Sequence, residues 1–439
     1  MPPMSGRTAT ILALVVIGLC LGGMGLYFLP PIHTRLAWRV DELWLRFKYT
    51  LNPPEEIVFV PQTPQGTVVM ATELPTGTPK PKPSATPMLQ PPQGTPLPTQ
   101  TPTVANTPLP EQVRLKGVRH QNQHGRWNYC APANLAMALS FWGWEGDQDT
   151  VGPVIKPDPK DKNVMPYEMV DYIEQHTDLQ VVERLGGDLE LLKRFIAAGF
   201  AVLVEKGTYL TDLTGVKSWM GHYQVVTGYD DAVGVFVTQD SFVGPDFEIS
   251  YEALLKGWRA FNYTYLVIHP QDQHQQVMAL LGPDAEETGN IQNAATKASN
   301  EIYGLEGIDQ YFAWYNRGTN LMLLQDYAGA AEAYDQAFAV YPSIPEVERP
   351  WRMLWYQTGP YFAYFHSGRY WDVLNLADTT LSAMQSEKNL EETYYWRGKA
   401  KNALGDVAGA IEDFRLAVKF HPGFEPAIYE LNLLGIEAP

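Results

Sequence analysis

The sequence predicts an α+β domain followed by an all-α repeat solenoid, both behind an N-terminal membrane-spanning helix. Three observations carry that expectation. An apolar run lies near the N-terminus, the central region mixes helical and strand-like patterning, and the C-terminal region repeats itself at a fixed offset. The 439 residues suffice for two or three domains. With 45 % hydrophobic and 12 % aromatic residues, part of the chain can bury a proper core. A net charge of −17, with no lysine/arginine cluster in the body of the chain, argues against a nucleic-acid partner, because phosphate binding needs concentrated positive charge. Two cysteines, Cys20 and Cys130, cannot make a disulfide framework, and Cys20 sits inside the apolar run.

After a short tail (residues 1–8), the run from Ala9 to Leu29 is long enough to cross a bilayer and longer than most signal-peptide cores. A cleaved signal is the competing reading, but no A-x-A-like site follows. In the next segment, residues 31–60, Arg35, Arg39, Glu42 and Arg46 share one helical face while Leu36, Val40, Leu43 and Phe47 share another. Such a helix, with Trp38 and Trp44, suits the membrane interface. A bare count of positive charges would keep the body cytoplasmic. The following spacer, residues 61–110, argues the other way. Fourteen of its fifty residues are proline and eleven threonine, so it cannot bury a core and reads as an extended stalk. A single-pass protein with an extracytoplasmic body is the expectation.

Past a connecting segment (271–310), residues 311–439 repeat. "WYNRGTNLMLLQDYAGAAEAYDQAFAVYP" and "YYWRGKAKNALGDVAGAIEDFRLAVKFHP" align without a gap at an offset of 80. Gly318 pairs with Gly398, Ala330 with Ala410, Ala337 with Ala417 and Pro342 with Pro422. The small residues fall where two antiparallel helices must approach, and the proline ends the second helix. This pattern resembles the tetratricopeptide repeat. A degenerate middle copy fits Leu354 to Ser386, turning at "HSGRYWDV", and "EPAIYELNLLG" reads as a capping helix. The resemblance implies a surface for a peptide or protein partner. A module that only packs against its neighbour is the alternative.

The central domain spans residues 113–270. Leu135, Ala138, Leu139 and Trp142 give helical spacing after Cys130, and Pro132 suits a first helical turn. Cys130 therefore falls at a helix N-terminus, where free amides and the macrodipole favour an anion. A small buried core residue is the competing reading. Downstream, "GHYQVVTGYDDAVGVFVTQDSF" offers two strand-like runs, His222–Tyr229 and Val233–Asp240, around the turn signal "DDA". Folding that hairpin about position 231 sets His222 opposite Asp240. A thiolate, an imidazole to carry its proton and an acid to hold the imidazole together form the constellation for acyl transfer through a thioester. The oxyanion needs two donors: the backbone N–H of Cys130, and a side-chain amide, for which Gln123 and Gln121 are candidates.

"WNYCAPANLAMAL", "GHYQVVTGYDD" and "VTQDSFVG" together resemble the papain-like cysteine peptidases of the bacteriocin-processing kind, the double-glycine leader peptidases and their stand-alone relatives. The resemblance covers about 160 residues and implies a papain-like α+β fold. It implies Cys130 as nucleophile, His222 as general base and acid, Asp240 as the orienting acid and Gln123 rather than Gln121 as the oxyanion donor. Two departures stand out. His124 occupies the commonest glutamine position, and no phosphate-binding G-x-x-x-x-G-K-[ST] element follows, so a bacteriocin exporter is not expected. Trp127, Trp219 and Trp258 would line the cleft or, as commonly for aromatic residues, pack the core. The expected activity is peptide-bond hydrolysis on a peptide or protein substrate. A catalytically silent binding scaffold and a thioester-based acyl or amide transferase are the alternatives. Histidine, cysteine and acid residues show no ligand spacing along the chain, so no metal or other cofactor is expected.

Overall fold

A computed structural model describes residues 58–62, 108–126, 128–211, 217–384 and 387–438, with scattered positions before residue 48. Most of the membrane-spanning run, the amphipathic segment and the Pro/Thr-rich spacer lies outside the described residues, as does Trp127. Among the described residues no helix is long and apolar enough to cross a membrane.

The central domain opens with a short strand, β1 (Gln112–Arg114), and a helix that starts on the cysteine, α1 (Cys130–Phe141). Helices α2 (Gln148–Ile155) and α3 (Pro166–His176) follow, then β2 (Leu179–Arg184) and α4 (Leu189–Ala197). The long strands β3 (Val202–Thr211) and β4 (Lys217–Asp230) lead to β5 (Val235–Asp240) and β6 (Gly244–Ser250). Helix α5 (Tyr251–Arg259) and strand β7 (Tyr265–Pro270) complete the unit. The strands form one antiparallel sheet in the order β2-β7-β3-β4-β5-β6, with β1 beside the C-terminal end of β4.

Helix α1 is buried at every position from Ala131 to Ser140. That is why its sequence shows apolar or small residues on every side rather than a stripe: a helix without a wet face lies in a core. It packs with Leu203, Tyr223, Val225 and Leu266 of the sheet. The opposite parity of the same strands, Val202, Val204 and Val226, packs with Phe195 and Trp258 from α4 and α5. Alternation along β3 and β4 therefore feeds two helical layers. Trp258 is a core residue with its indole N–H on the Thr264 carbonyl, 2.7 Å away.

Helices α6 (His274–Leu281) and α7 (Glu287–Ile302) connect to the helical region. Its first hairpin is α8 (Gly307–Leu323) and α9 (Tyr327–Val340). The middle hairpin has a broken first arm, α10 (Met353–Tyr356) and α11 (Gly359–His366), and an intact second arm, α12 (Tyr370–Ser382). The last hairpin is α13 (Glu391–Ala403) and α14 (Val407–Phe420), closed by α15 (Glu425–Leu433). The paired glycines explain themselves. A Cβ on Gly318 would stand 2.8 Å from the Tyr334 ring, and one on Gly398 would stand 2.7 Å from Phe414.

The two regions share one core. Trp219 of β4 stacks on Phe261 at 5.8 Å and touches Phe312 and Tyr356 of the helical region. Arg352 donates to the Trp219 carbonyl at 3.0 Å, tying α10's approach to β4. The chain around the start of the spacer also docks here. Phe59 meets Phe338 edge-on at 5.0 Å, and the Gln62 backbone N–H donates to Asp372 Oδ1 at 2.7 Å.

Candidate active site

Strand β4 carries His222 and β5 ends on Asp240, so the sheet delivers both side chains to one edge. The register differs from the simple hairpin expectation. Val225 faces Gln239 and Asp230 faces Val235, with an irregularity between Val226 and Gly228. Gly234, at φ +70°, closes a turn later than position 231, and each pair shifts accordingly. One step beyond the last pair, Asp240 meets Gln224 rather than His222. His222 reaches the acid diagonally, one pleat along on the same face of β4, with its Nε2 3.0 Å from Asp240 Oδ1.

Both side chains are almost completely buried, His222 at 2 % exposure and Asp240 at 1 %. Both oxygens of Asp240 are hydrogen-bonded, with four donors in all. Oδ1 also accepts the backbone N–H groups of Phe242, at 2.7 Å, and Val243, at 2.9 Å, while Oδ2 accepts from the Gln224 side-chain amide. Burial pushes the Asp240 carboxyl up, but the His222 charge and these donors outweigh it and hold it far below the usual carboxylate range. Burial likewise pushes His222 down. The Asp240 charge and hydrogen bond, with a hydrogen bond to the Cys130 thiol, overcome that and raise it to about 9. With Nε2 on Asp240, the other ring nitrogen remains for the interaction with Cys130 that helps raise His222.

Cys130, a free half-buried thiol, is the first residue of α1, with Pro132 inside the first turn. Its carbonyl accepts from Asn134 Nδ2 at 2.9 Å, and the same amide nitrogen donates to Ser241 Oγ at 2.8 Å. Ser241 Oγ then donates to Gln123 Oε1 at 2.6 Å, and the Gln123 backbone N–H donates to the Ser241 carbonyl at 3.0 Å. The Gln123 oxygen is thereby occupied and its NH2 group is turned from Ser241. The glutamine tied into this network is Gln123.

The structure brings all four sequence candidates together: Cys130 with His222, His222 with Asp240, and Gln123 through Ser241. Sequence reasoning missed the residues that hold them. Asn134 lies one helical turn after Cys130, and Gln224 lies two residues after His222 on the same strand face. Those spacings are visible in the sequence, but many polar residues share them. His120, whose Nε2 lies 2.9 Å from the Asp240 carbonyl, left no local signal at all. Of the tryptophans, Trp219 and Trp258 are core residues, the reading weighed against a cleft lining.

Residues 115–273 match the model of the Peptidase_C39 like family. The chain carries a C39-like peptidase domain. Residues 311–344 and 391–423 behind that domain each match a tetratricopeptide repeat model, while the broken middle hairpin lies between the two matches. A solved structure named as a C39-like peptidase from Bacillus anthracis aligns over 36 % of this chain and 98 % of its own, at 16 % identity and a TM-score of 0.30. No curated protein matches the chain.

A second group lies where the C39-like domain meets the last repeat. Asp161 and, at least 230 residues later, Glu391 and His421 bring their ligand-type atoms within 4.8 Å of one another. The expectation of no metal rested on spacing along the chain, which is blind to such a group.

Proposed function

We propose that this protein is a cysteine peptidase acting through Cys130, His222 and Asp240, tethered to a membrane by its N-terminal run. The observation that supports it best is the single buried imidazole placed between the Cys130 thiol and the saturated Asp240 carboxylate. His222 carries its proton at neutral pH and faces the sulfur, so negative charge on Cys130 is stabilised by Coulomb attraction. The thiolate attacks the substrate carbonyl carbon. The oxyanion is held by the Cys130 backbone N–H and the Gln123 amide. As the C–N bond breaks, His222 gives its proton to the leaving amine and a thioester remains. Water then attacks the thioester while His222 takes a proton, releasing the acid and restoring the pair.

Space for a substrate side chain exists between the two regions. A cavity of about 300 Å³ is lined by Glu205, Phe261, Tyr356 and Glu392, among others, and so draws on both the C39-like domain and the helical region. Glu205 and Tyr356 both feel the charge of Cys130. The repeats would then form part of the cleft as well as a surface for a protein substrate or partner. The docking of Phe59 against Phe338 supports a surface suited to an extended apolar segment.

A thiol-directed electrophile tests the reading. Labelling of Cys130 should be fast in the unaltered chain and should weaken in His222→Ala, and the same variant should lose turnover of a peptide library. Equal labelling in both would overturn the catalytic pair. Labelling without hydrolysis, but with transfer to an added amine, would favour a transferase. For the tether, an alkaline-phosphatase fusion placed after residue 110 should be active, and an inactive fusion would sink the extracytoplasmic placement.

A further inference from the structure

We infer that a divalent transition-metal ion of the zinc type binds at the seam between the C39-like domain and the last repeat, held by Asp161, Glu391 and His421. The three come from separate elements. Asp161 lies in the loop between α2 and α3, Glu391 is the first residue of α13, and His421 follows α14. His421 Nδ1 is 3.2 Å from Glu391 Oε1 and 3.8 Å from Asp161 Oδ2. Asp161 and Glu391 are each 1 % exposed. Two of their oxygens, Asp161 Oδ2 and Glu391 Oε2, have no hydrogen-bond partner. Asp161 Oδ2 is the very atom that faces His421.

A buried carboxylate oxygen without a donor is costly, and the usual remedy is a cation or a hydrogen bond. The neighbours supply these only in part. Lys156 and Lys162 attract Asp161 by charge, the Asn163 backbone N–H reaches Asp161 Oδ1 at 3.4 Å and His421 meets Glu391 Oε1, which leaves Asp161 Oδ2 and Glu391 Oε2 without a donor. Lys156 spends hydrogen bonds on the carbonyls of Pro159 and Asp161. Glu168 and Glu392 add further acid beside the group. The first turn of α13 favours acidic side chains, but it offers nothing to Asp161, which comes from the other domain. Two carboxylates and one imidazole form a donor set for zinc-like ions rather than calcium or magnesium, which prefer oxygen alone. Bonds of about 2.0–2.2 Å require only a small inward shift of atoms already this close. Glu168 Oε1 stands 3.8 Å from His421 Nε2, on the side where a ligating imidazole is commonly oriented by an acid.

The ion would clamp the repeat module onto the loop behind the nucleophile. Asn128 Nδ2 donates to the Asp161 carbonyl at 3.2 Å, and Asn128, at φ +45°, lies two residues before Cys130. The site is independent of the peptidase reading, and its test avoids peptidase chemistry.

The full chain carrying Cys130→Ala, which removes the reactive thiol, is incubated with zinc, desalted and analysed for metal. About one equivalent should be retained, and its thermal transition should rise with zinc and fall with a chelator. Retention should drop at least about tenfold in His421→Gln and in Glu391→Gln, whose metal-free transitions should stay near the parent's. No retention by the parent would overturn the site and leave an ion-paired His421 in its place. Equal retention in the variants would also overturn it and would direct attention to the His269–His274 pair, 3.1 Å apart.

Discussion

Two buried histidine–carboxylate groups can be set side by side in this molecule. At the sheet edge, His222 and Asp240 form a closed set: Asp240 Oδ1 has three donors and Oδ2 a fourth. At the domain seam, His421 meets Asp161 and Glu391 with carboxylate oxygens left over. Burial penalises charge equally in both places. The first group answers with donors from its own loop, so its geometry is fixed and its proton is placed. The second has fewer donors, and one oxygen of each carboxylate is left without a partner beside His421. A saturated pair is suited to holding an orientation during repeated proton transfers, and an unsaturated one to holding a ligand.

The largest effect should come from the saturated group. Cys130→Ala and His222→Ala should each lower peptide hydrolysis by roughly 10⁶-fold, and the double variant should lose little more, because the two act as a unit. Single losses that multiply would break the comparison by showing independent roles.

Asp240→Asn should lower turnover by roughly 10²- to 10⁴-fold. It should also move the alkaline limb of the pH profile, which follows His222, from about 9 towards the ordinary imidazole value. The sign for stability follows from the same shift. His222 is raised in the folded state, so its contribution is fully present below its ordinary 6.5 and is lost as pH rises through about 9. The stability gap between the unaltered chain and Asp240→Asn, read from urea midpoints, should therefore shrink across that window. A gap that widens would contradict the ion pair.

Gln123→Ala should reduce turnover by about 10²- to 10³-fold while leaving thiol labelling nearly intact, since it removes an oxyanion donor and not the nucleophile's partner. Ser241→Ala, which frees the Gln123 oxygen and removes one acceptor of the Asn134 amide, should have a smaller effect in the same direction.

The smallest effect expected is on stability alone. A Cβ on Gly318 presses on Tyr334, so Gly318→Ala should cost about 1–3 kcal/mol in denaturant unfolding. Its effect on turnover should be slight unless the repeats shape the cleft through Tyr356. Gly221 makes a useful contrast. A Cβ there would stand 2.7 Å from Phe261 and 3.0 Å from Tyr356, one residue before His222. Gly221→Ala should therefore disturb catalysis as well as stability.

The sequence by itself determined whatever depends on near neighbours. The start of α1 at Cys130, with Pro132 in the first turn, follows from local backbone chemistry. The repeat alignment at an offset of 80 follows from glycines that only close helix packing explains. The meeting of His222 with Asp240 was legible because a hairpin joins residues only 18 apart, although a late turn and a bulge moved the register. Tertiary structure alone decided the rest. Ser241 holds Gln123 across 118 residues, Trp219 joins the repeat core, and Asp161 meets Glu391 and His421. The reason is physical. Helix and hairpin periodicities are written every two to four residues, whereas contacts between domains depend on how finished surfaces fit and leave no spacing along the chain.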